Sequence, residues 1–182
     1  QAFFQTANVY MDAREREWAR RRQLCDSVEK LGFPFPAYRE GQRTMMKYAY
    51  LAALDGRSVF VQAPTGTGKT AAALYPAIQA LRQGAISRVF YLTAQGTNAA
   101  AALGLMQKLC GTGLDARVCR IRAKDDVCPM PVRSCSDACP YANGYFDRAP
   151  KAVEALLDRG GVFDAPEILE AAMQARVCPH EF

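Results

Sequence analysis

Ser58-Val-Phe-Val-Gln-Ala-Pro-Thr-Gly-Thr-Gly-Lys-Thr70 decides how this chain is read. Ser58–Gln62 is short, mostly apolar and rich in residues that favour strands. A glycine-rich stretch follows at once. Residues 70–81 are then Ala-rich, with apolar residues at helical spacing. Strand, glycine loop and helix in that order are the setting of a phosphate-binding loop. Pro64, Thr65, Gly66, Thr67 and Gly68 are its candidate nucleotide-binding residues. The two glycines leave the backbone bare, so its N–H groups can wrap the β- and γ-phosphates. The following helix adds the partial positive charge of its N-terminus. Lys69 can reach the phosphates and the Thr70 hydroxyl can ligate Mg²⁺, which makes these two the candidate catalytic pair. Pro76 is expected to kink this helix or end it early.

Outward from the loop, helices and strands alternate. Residues 8–31 read as a helix, with Tyr10, Met11, Trp18, Leu24, Val28 and Leu31 spaced for one face. Arg14, Arg16, Arg20, Arg21 and Arg22 make it basic. Such a row is either a solvated face paired locally with Glu15 and Glu17, or a contact for nucleic-acid phosphates. Phe33-Pro-Phe-Pro36 breaks the helix. A second helix spans 43–54, with Met45, Met46, Tyr50 and Leu51 available to a core. Arg39 and Gln42 stand ahead of the nucleotide strand, and a Gln amide can read the N6/N7 edge of adenine. Arg88–Thr93 reads as a strand, 97–110 as a helix and 116–122 as a half-buried strand. The alternation predicts an α/β fold with a parallel sheet and helices on its faces.

The chain has 182 residues, enough for one domain or one domain with an insertion. Half are hydrophobic, so a core can be buried, but no run is long enough to span a membrane. The net charge of +5 permits an anionic partner. Gln1 at one end and Phe182 at the other give the expectation of a piece cut from a longer protein. Seven cysteines, an odd number, beside a nucleotide loop argue for a reducing compartment and against a disulfide framework.

Four of those cysteines, Cys128, Cys135, Cys139 and Cys178, fall in a polar, Pro-containing segment, and three of them precede a proline. Four thiolates can hold a [4Fe–4S] cube or a structural Zn²⁺. Zinc sites favour two tight Cys pairs, and only Cys135/Cys139 has that spacing, so the scatter suits iron–sulfur better. Cys25, Cys110 and Cys119 lie in helix or strand patterns and read as core thiols. His180, the single histidine, could replace one thiolate.

Tyr38-Arg-x-x-Gln42, Ala63–Thr70, Tyr91-Leu-Thr-Ala94 and the four cysteines come in the order seen in XPD/DinG-like DNA helicases of superfamily 2. Over about residues 33–182 the chain resembles that family, in which Ala is ordinary at the position of Ala63. The resemblance implies a RecA-like motor domain with an inserted iron–sulfur cluster domain, here incomplete. It divides the chain into a helical connector (1–32), the first part of the motor domain (33–122) and a truncated cluster insertion (123–182). It implies ATP, Mg²⁺ and [4Fe–4S] as cofactors and ATP-driven 5′-to-3′ unwinding. Lys69 and Thr70 become the Walker A pair, Arg39 and Gln42 the adenine-side motif, and the four cysteines the cluster ligands. Thr93 falls in the segment that touches single-stranded DNA. The implied protein is a bacterial, cytoplasmic monomer acting on single-stranded DNA and duplex junctions, with the cluster domain as a wedge. Two departures stand out. Gln95-Gly96 replaces a basic residue common after Thr-Ala, and no Asp-Glu-Ala-His box occurs. This piece alone is therefore expected to bind ATP with almost no turnover. Two other readings stand beside it: a phosphate-loop ATPase or kinase with a zinc-stabilised lid, and a non-catalytic nucleic-acid-binding module.

Overall fold

In the computed structural model, residues 2–132, 135–136 and 138–182 are described. The chain divides into two units, Gln1–Asp115 and Ala116–Phe182.

The first unit contains α1 (Ala2–Glu29), α2 (Gln42–Asp55), α3 (Lys69–Arg82) and α4 (Gly96–Gly111). Helix α3 is central and packs against each of the other three. Ala71, Leu74, Ile78 and Ala80 give it a buried face. Val28 of α1, Leu31 just beyond it, and Ala102, Leu105 and Leu109 of α4 are buried in the same unit. Pro76 neither ends nor interrupts this helix, which runs on to Arg82 with Pro76 buried. A proline inside a helix costs about 3 kcal/mol. Packing of α3 on three neighbours offsets that loss.

The α/β expectation is overturned. Among the described residues, which are mostly helical, the RecA-like parallel sheet with helices on both faces is not formed. Neither Ser58–Gln62 nor Arg88–Thr93 is a strand. Phe60 is 97% exposed and Leu92 89%, so these apolar segments have neither a ladder partner nor a packed face. Apolar, β-favouring composition gives a segment the capacity to pair, but a parallel strand exists only where another lies beside it. The single face expected on α1 is also corrected. Val28 and Leu31 are buried, while Tyr10, Met11 and Trp18 are each more than half exposed.

The second unit holds β1 (Arg117–Cys119), α5 (Lys124–Val127), α6 (Tyr145–Arg159), β2 (Gly161–Phe163) and α7 (Ala165–Ala175). The two strands pair in parallel, Arg117 with Gly161 through Cys119 with Phe163, and form the one sheet among the described residues. Gly160 and Gly161, at φ of 65° and 94°, turn the chain sharply from α6 into β2. A capping box starts α7: the Asp164 side chain accepts from the helix backbone, and the Glu167 carboxylate accepts from the Asp164 N–H at 3.1 Å. Arg176 ends it in the left-handed conformation at φ 56°. Ala149, Ala172 and Val177 make a small core, with Tyr145 and Phe182 packed on it.

Candidate functional site

The glycine loop sits between the end of α2 and the start of α3. Gly66 at φ 85° and Gly68 at φ 78° take a conformation that side-chain-bearing residues rarely adopt. Through them the chain turns into Lys69, the first residue of α3, with Thr70 next. The N–H groups of that first helical turn have no partner within the helix and carry its partial positive charge.

Side chains brace the loop from several directions. The Lys69 ammonium donates to the Ala63 carbonyl at 3.0 Å and to the Pro64 carbonyl at 2.7 Å. The Thr67 hydroxyl donates to the same Pro64 carbonyl at 2.9 Å. Arg39 donates from its guanidinium to the Gly66 carbonyl. Gln42 donates to the Gly68 carbonyl at 3.1 Å, and that carbonyl also accepts the Ala72 N–H at 3.0 Å. Arg39 and Gln42, separated from the loop by more than twenty residues, thus meet it directly. Their sequence reading as adenine-side residues did not include this bracing role.

Residues 39–127 match the DEAD/DEAH box helicase family. A DEAD/DEAH-box helicase domain is thus present over part of the chain. The match takes in Arg39, Gln42 and the whole loop, and it ends one residue before Cys128. No curated protein and no solved structure matches the chain.

In the second unit the four cysteines line one cavity of about 510 Å³, together with Met130, Tyr145, Phe146 and His180. Even so, among the described residues no group of three or more His, Cys, Asp or Glu could hold a metal ion. The expectation of a built metal centre is corrected accordingly. With the RecA-like architecture also absent, the reading as part of an unwinding 5′-to-3′ ATP-dependent DNA helicase with an iron–sulfur wedge at the duplex junction is overturned. The three remaining cysteines also differ from expectation: Cys25 and Cys110 are half-buried and Cys119 is exposed, so none is a core thiol.

The cavity wall has a polar frame that the sequence reading missed. Lys124 donates to the Glu181 carboxylate at 3.3 Å, and His180 lies 3.4 Å from the same carboxylate. The hydrogen bond to Glu181, followed by the nearby Cys135, holds the Lys124 ammonium above its ordinary pKa. The same bond holds the Glu181 carboxyl below the usual carboxylate range. The Tyr145 hydroxyl donates to the Glu181 carbonyl. Arg148 reaches three carbonyls, those of Pro140 (3.3 Å), Asn143 (2.5 Å) and Arg176 (2.7 Å), and so ties the turn after Cys139 to the residues before Cys178. Gly144 makes room for it: a Cβ there would stand 2.6 Å from the guanidinium. That glycine, four residues before an arginine, was the only hint in the sequence.

Among the described residues no helix is long and apolar enough to cross a membrane.

Proposed function

We propose that this chain is a nucleotide-binding module of DEAD/DEAH-box type, non-catalytic by itself, with single-stranded nucleic acid as its macromolecular partner. The observation that carries the nucleotide reading is the loop geometry, and the DEAD/DEAH-box match over residues 39–127 supports the nucleic-acid partner. Two left-handed glycines open directly onto the N-terminus of a 14-residue helix, with Lys69 at the junction. Such a hollow binds phosphate through backbone N–H groups and one mobile ammonium. Lys69 leaves the Ala63 and Pro64 carbonyls for the β- and γ-phosphates, and Thr70 supplies a hydroxyl for Mg²⁺. Pro64, Thr65, Gly66, Thr67 and Gly68 form the cradle, and Arg39 and Gln42 brace it. Hydrolysis also requires carboxylates that hold the metal and orient water. The Asp-Glu-Ala-His sequence that would supply them is not in this chain.

Cys128, Cys135, Cys139 and Cys178 are the candidate metal ligands. A single tetrahedral zinc with Zn–S bonds of about 2.3 Å needs its sulfurs roughly 3.8 Å apart. The four thiols line a cavity of about 510 Å³. The scattered spacing of the four cysteines along the chain favours a [4Fe–4S] group, in which each thiolate takes a different iron, over one zinc ion. Such a group would serve as a structural tie between the Cys128–Cys139 and Cys178 segments.

Calorimetric titration with Mg·ATP tests the main reading. Binding is expected in the wild type and a loss of about tenfold or more in Lys69→Ala, as for removal of a charged hydrogen-bond donor. Equal affinity in the two proteins would refute the loop assignment. DNA-stimulated turnover on the order of 1 s⁻¹ or faster would refute the non-catalytic assignment.

A further inference from the structure

Helix α1 is packed at one end and open over much of the rest. Val28 is buried, and so is Leu31 just beyond the helix. Towards the other end Tyr10 is 63% exposed and Trp18 57%. Arg22 is exposed as well, and Arg14 is partly so. Tyr10, Arg14, Trp18 and Arg22 follow one another at intervals of four residues, so they form one slanting row on the helix surface. Ring and guanidinium alternate along it. Each step rises about 6 Å, which sets the two rings about 12 Å apart along the axis with one arginine between them. The Arg14 guanidinium lies 5.8 Å from the Trp18 ring centroid.

Charge around the row is unbalanced. Residues 14–22 hold five arginines against two glutamates. Glu17 is engaged by Arg14 at 2.6 Å, with both side chains open to water. An exposed pair of this kind contributes little, so a phosphate can take the place of Glu17 at small cost. The DEAD/DEAH-box match begins at residue 39, so α1 lies outside the part of the chain it covers.

We propose that this row is a stacking surface for single-stranded nucleic acid, with bases on Tyr10 and Trp18 and backbone phosphates on Arg14 and Arg22. The inference deepens the nucleic-acid reading above and rests on it. Cations that track the backbone, interleaved with rings on which bases stack, hold single strands without regard to sequence. Other occupants fit the row worse. A helix that lies on a membrane separates an apolar face from a cationic one, whereas here rings and guanidiniums share one row. A helix that docks in a protein groove presents apolar anchors at i, i+3 or i+4, and i+7. Counted from Tyr10, those positions are Ala13, Arg14 and Glu17.

Trp18 is the single tryptophan of the chain, so its emission reports on the row directly. The test is titration of the full chain with a labelled oligodeoxythymidylate of about twelve nucleotides, and with the matching abasic sugar–phosphate strand, read by Trp18 fluorescence and by anisotropy of the label. The oligonucleotide is expected to quench Trp18. The abasic strand is expected to bind about tenfold more weakly and to leave the emission unchanged. Trp18→Ala should weaken the oligonucleotide about tenfold, and Trp18→Phe, which keeps a ring, by about threefold at most. Arg22→Ala should lower the slope of log affinity against log salt by about 0.7, as loss of one phosphate contact does for a single strand. Strand binding with unchanged Trp18 emission and equal affinity in Trp18→Ala would overturn the proposal while leaving the nucleic-acid reading standing. So would equal binding of the abasic strand. Failure of either strand to bind would overturn that reading, and this inference with it. Emission that shifts to the blue on vesicles of anionic phospholipid, with no response to the oligonucleotide, would assign the row to a membrane surface and overturn the proposal as well.

Discussion

The phosphate loop and the cysteine cavity are both candidate ligand sites, yet they are held together differently. The loop is closed by the protein's own hydrogen bonds: Lys69, Thr67, Arg39 and Gln42 all donate to its carbonyls. In the cavity, Arg148 and the Lys124–Glu181 pair frame the backbone and rim, but the four thiols do not gather into a group that could hold one ion. A backbone-built site is specified by glycine dihedrals and short-range donors. A thiol site draws much of its stability from the ligand it binds, because metal-binding free energy is also folding free energy.

The largest effect that sharpens this contrast is expected at the thiols. Any one of Cys128→Ser, Cys135→Ser, Cys139→Ser or Cys178→Ser should remove the iron and sulfide from anaerobically purified protein. Cys25→Ser, Cys110→Ser and Cys119→Ser should leave both in place. Metal and sulfide analysis decides it, and one tightly bound zinc would displace the iron assignment. Next is Gly68→Ala, which combines a positive φ with a steric collision against Gln42. It should cost roughly 2 kcal/mol of stability in the first unit, as strained backbone positions do, read by denaturant titration. Arg148→Ala should cost a similar or slightly smaller amount, about 1.5 kcal/mol for lost charged hydrogen bonds at an exposed site. Its hydrogen-exchange footprint should fall on residues 139–148 and 176–178, and no change there would contradict the stapling role. Smallest is Asp164→Ala, expected to cost about 1 kcal/mol through loss of the α7 cap. That variant should not alter nucleotide affinity, and a change in affinity would show that the two units are coupled.

What could be read from the sequence follows from the range of the forces involved. Helix bonds join residues four apart, so α3 and α4 lie within two residues of their expected bounds. Strand bonds depend on a distant neighbour, and the apolar runs at 58–62 and 88–93 found none. The loop glycines declared themselves by spacing, and the structure brings Arg39 and Gln42 to them. What the spacing could not show was where those two side chains point. Gln42 turns back onto the loop, its amide bonded to the Arg39 N–H and to the Gly68 carbonyl, and that is a fact of three dimensions. The cysteines illustrate the same limit. Their positions mark one segment and the fold brings them to one cavity, but neither spacing nor prolines reveal the distances between sulfurs. The guanidinium of Arg148, tied to backbone on both sides of that cavity, left almost no trace in the pattern of residues.

The central claim is that the first site is set by the chain, whereas the second, as proposed, is completed only by a bound metal group. Hydrogen exchange resolved along the whole chain, with and without Mg·ATP and with and without reconstituted iron and sulfide, tests it most directly. Nucleotide should slow exchange at about residues 63–72 and leave the rest of α2 and α3 unchanged. The metal group should slow exchange broadly over 124–148 and 176–182. Nucleotide-induced protection spreading through α2 and all of α3, or metal addition that leaves 124–148 and 176–182 unchanged, would contradict the account.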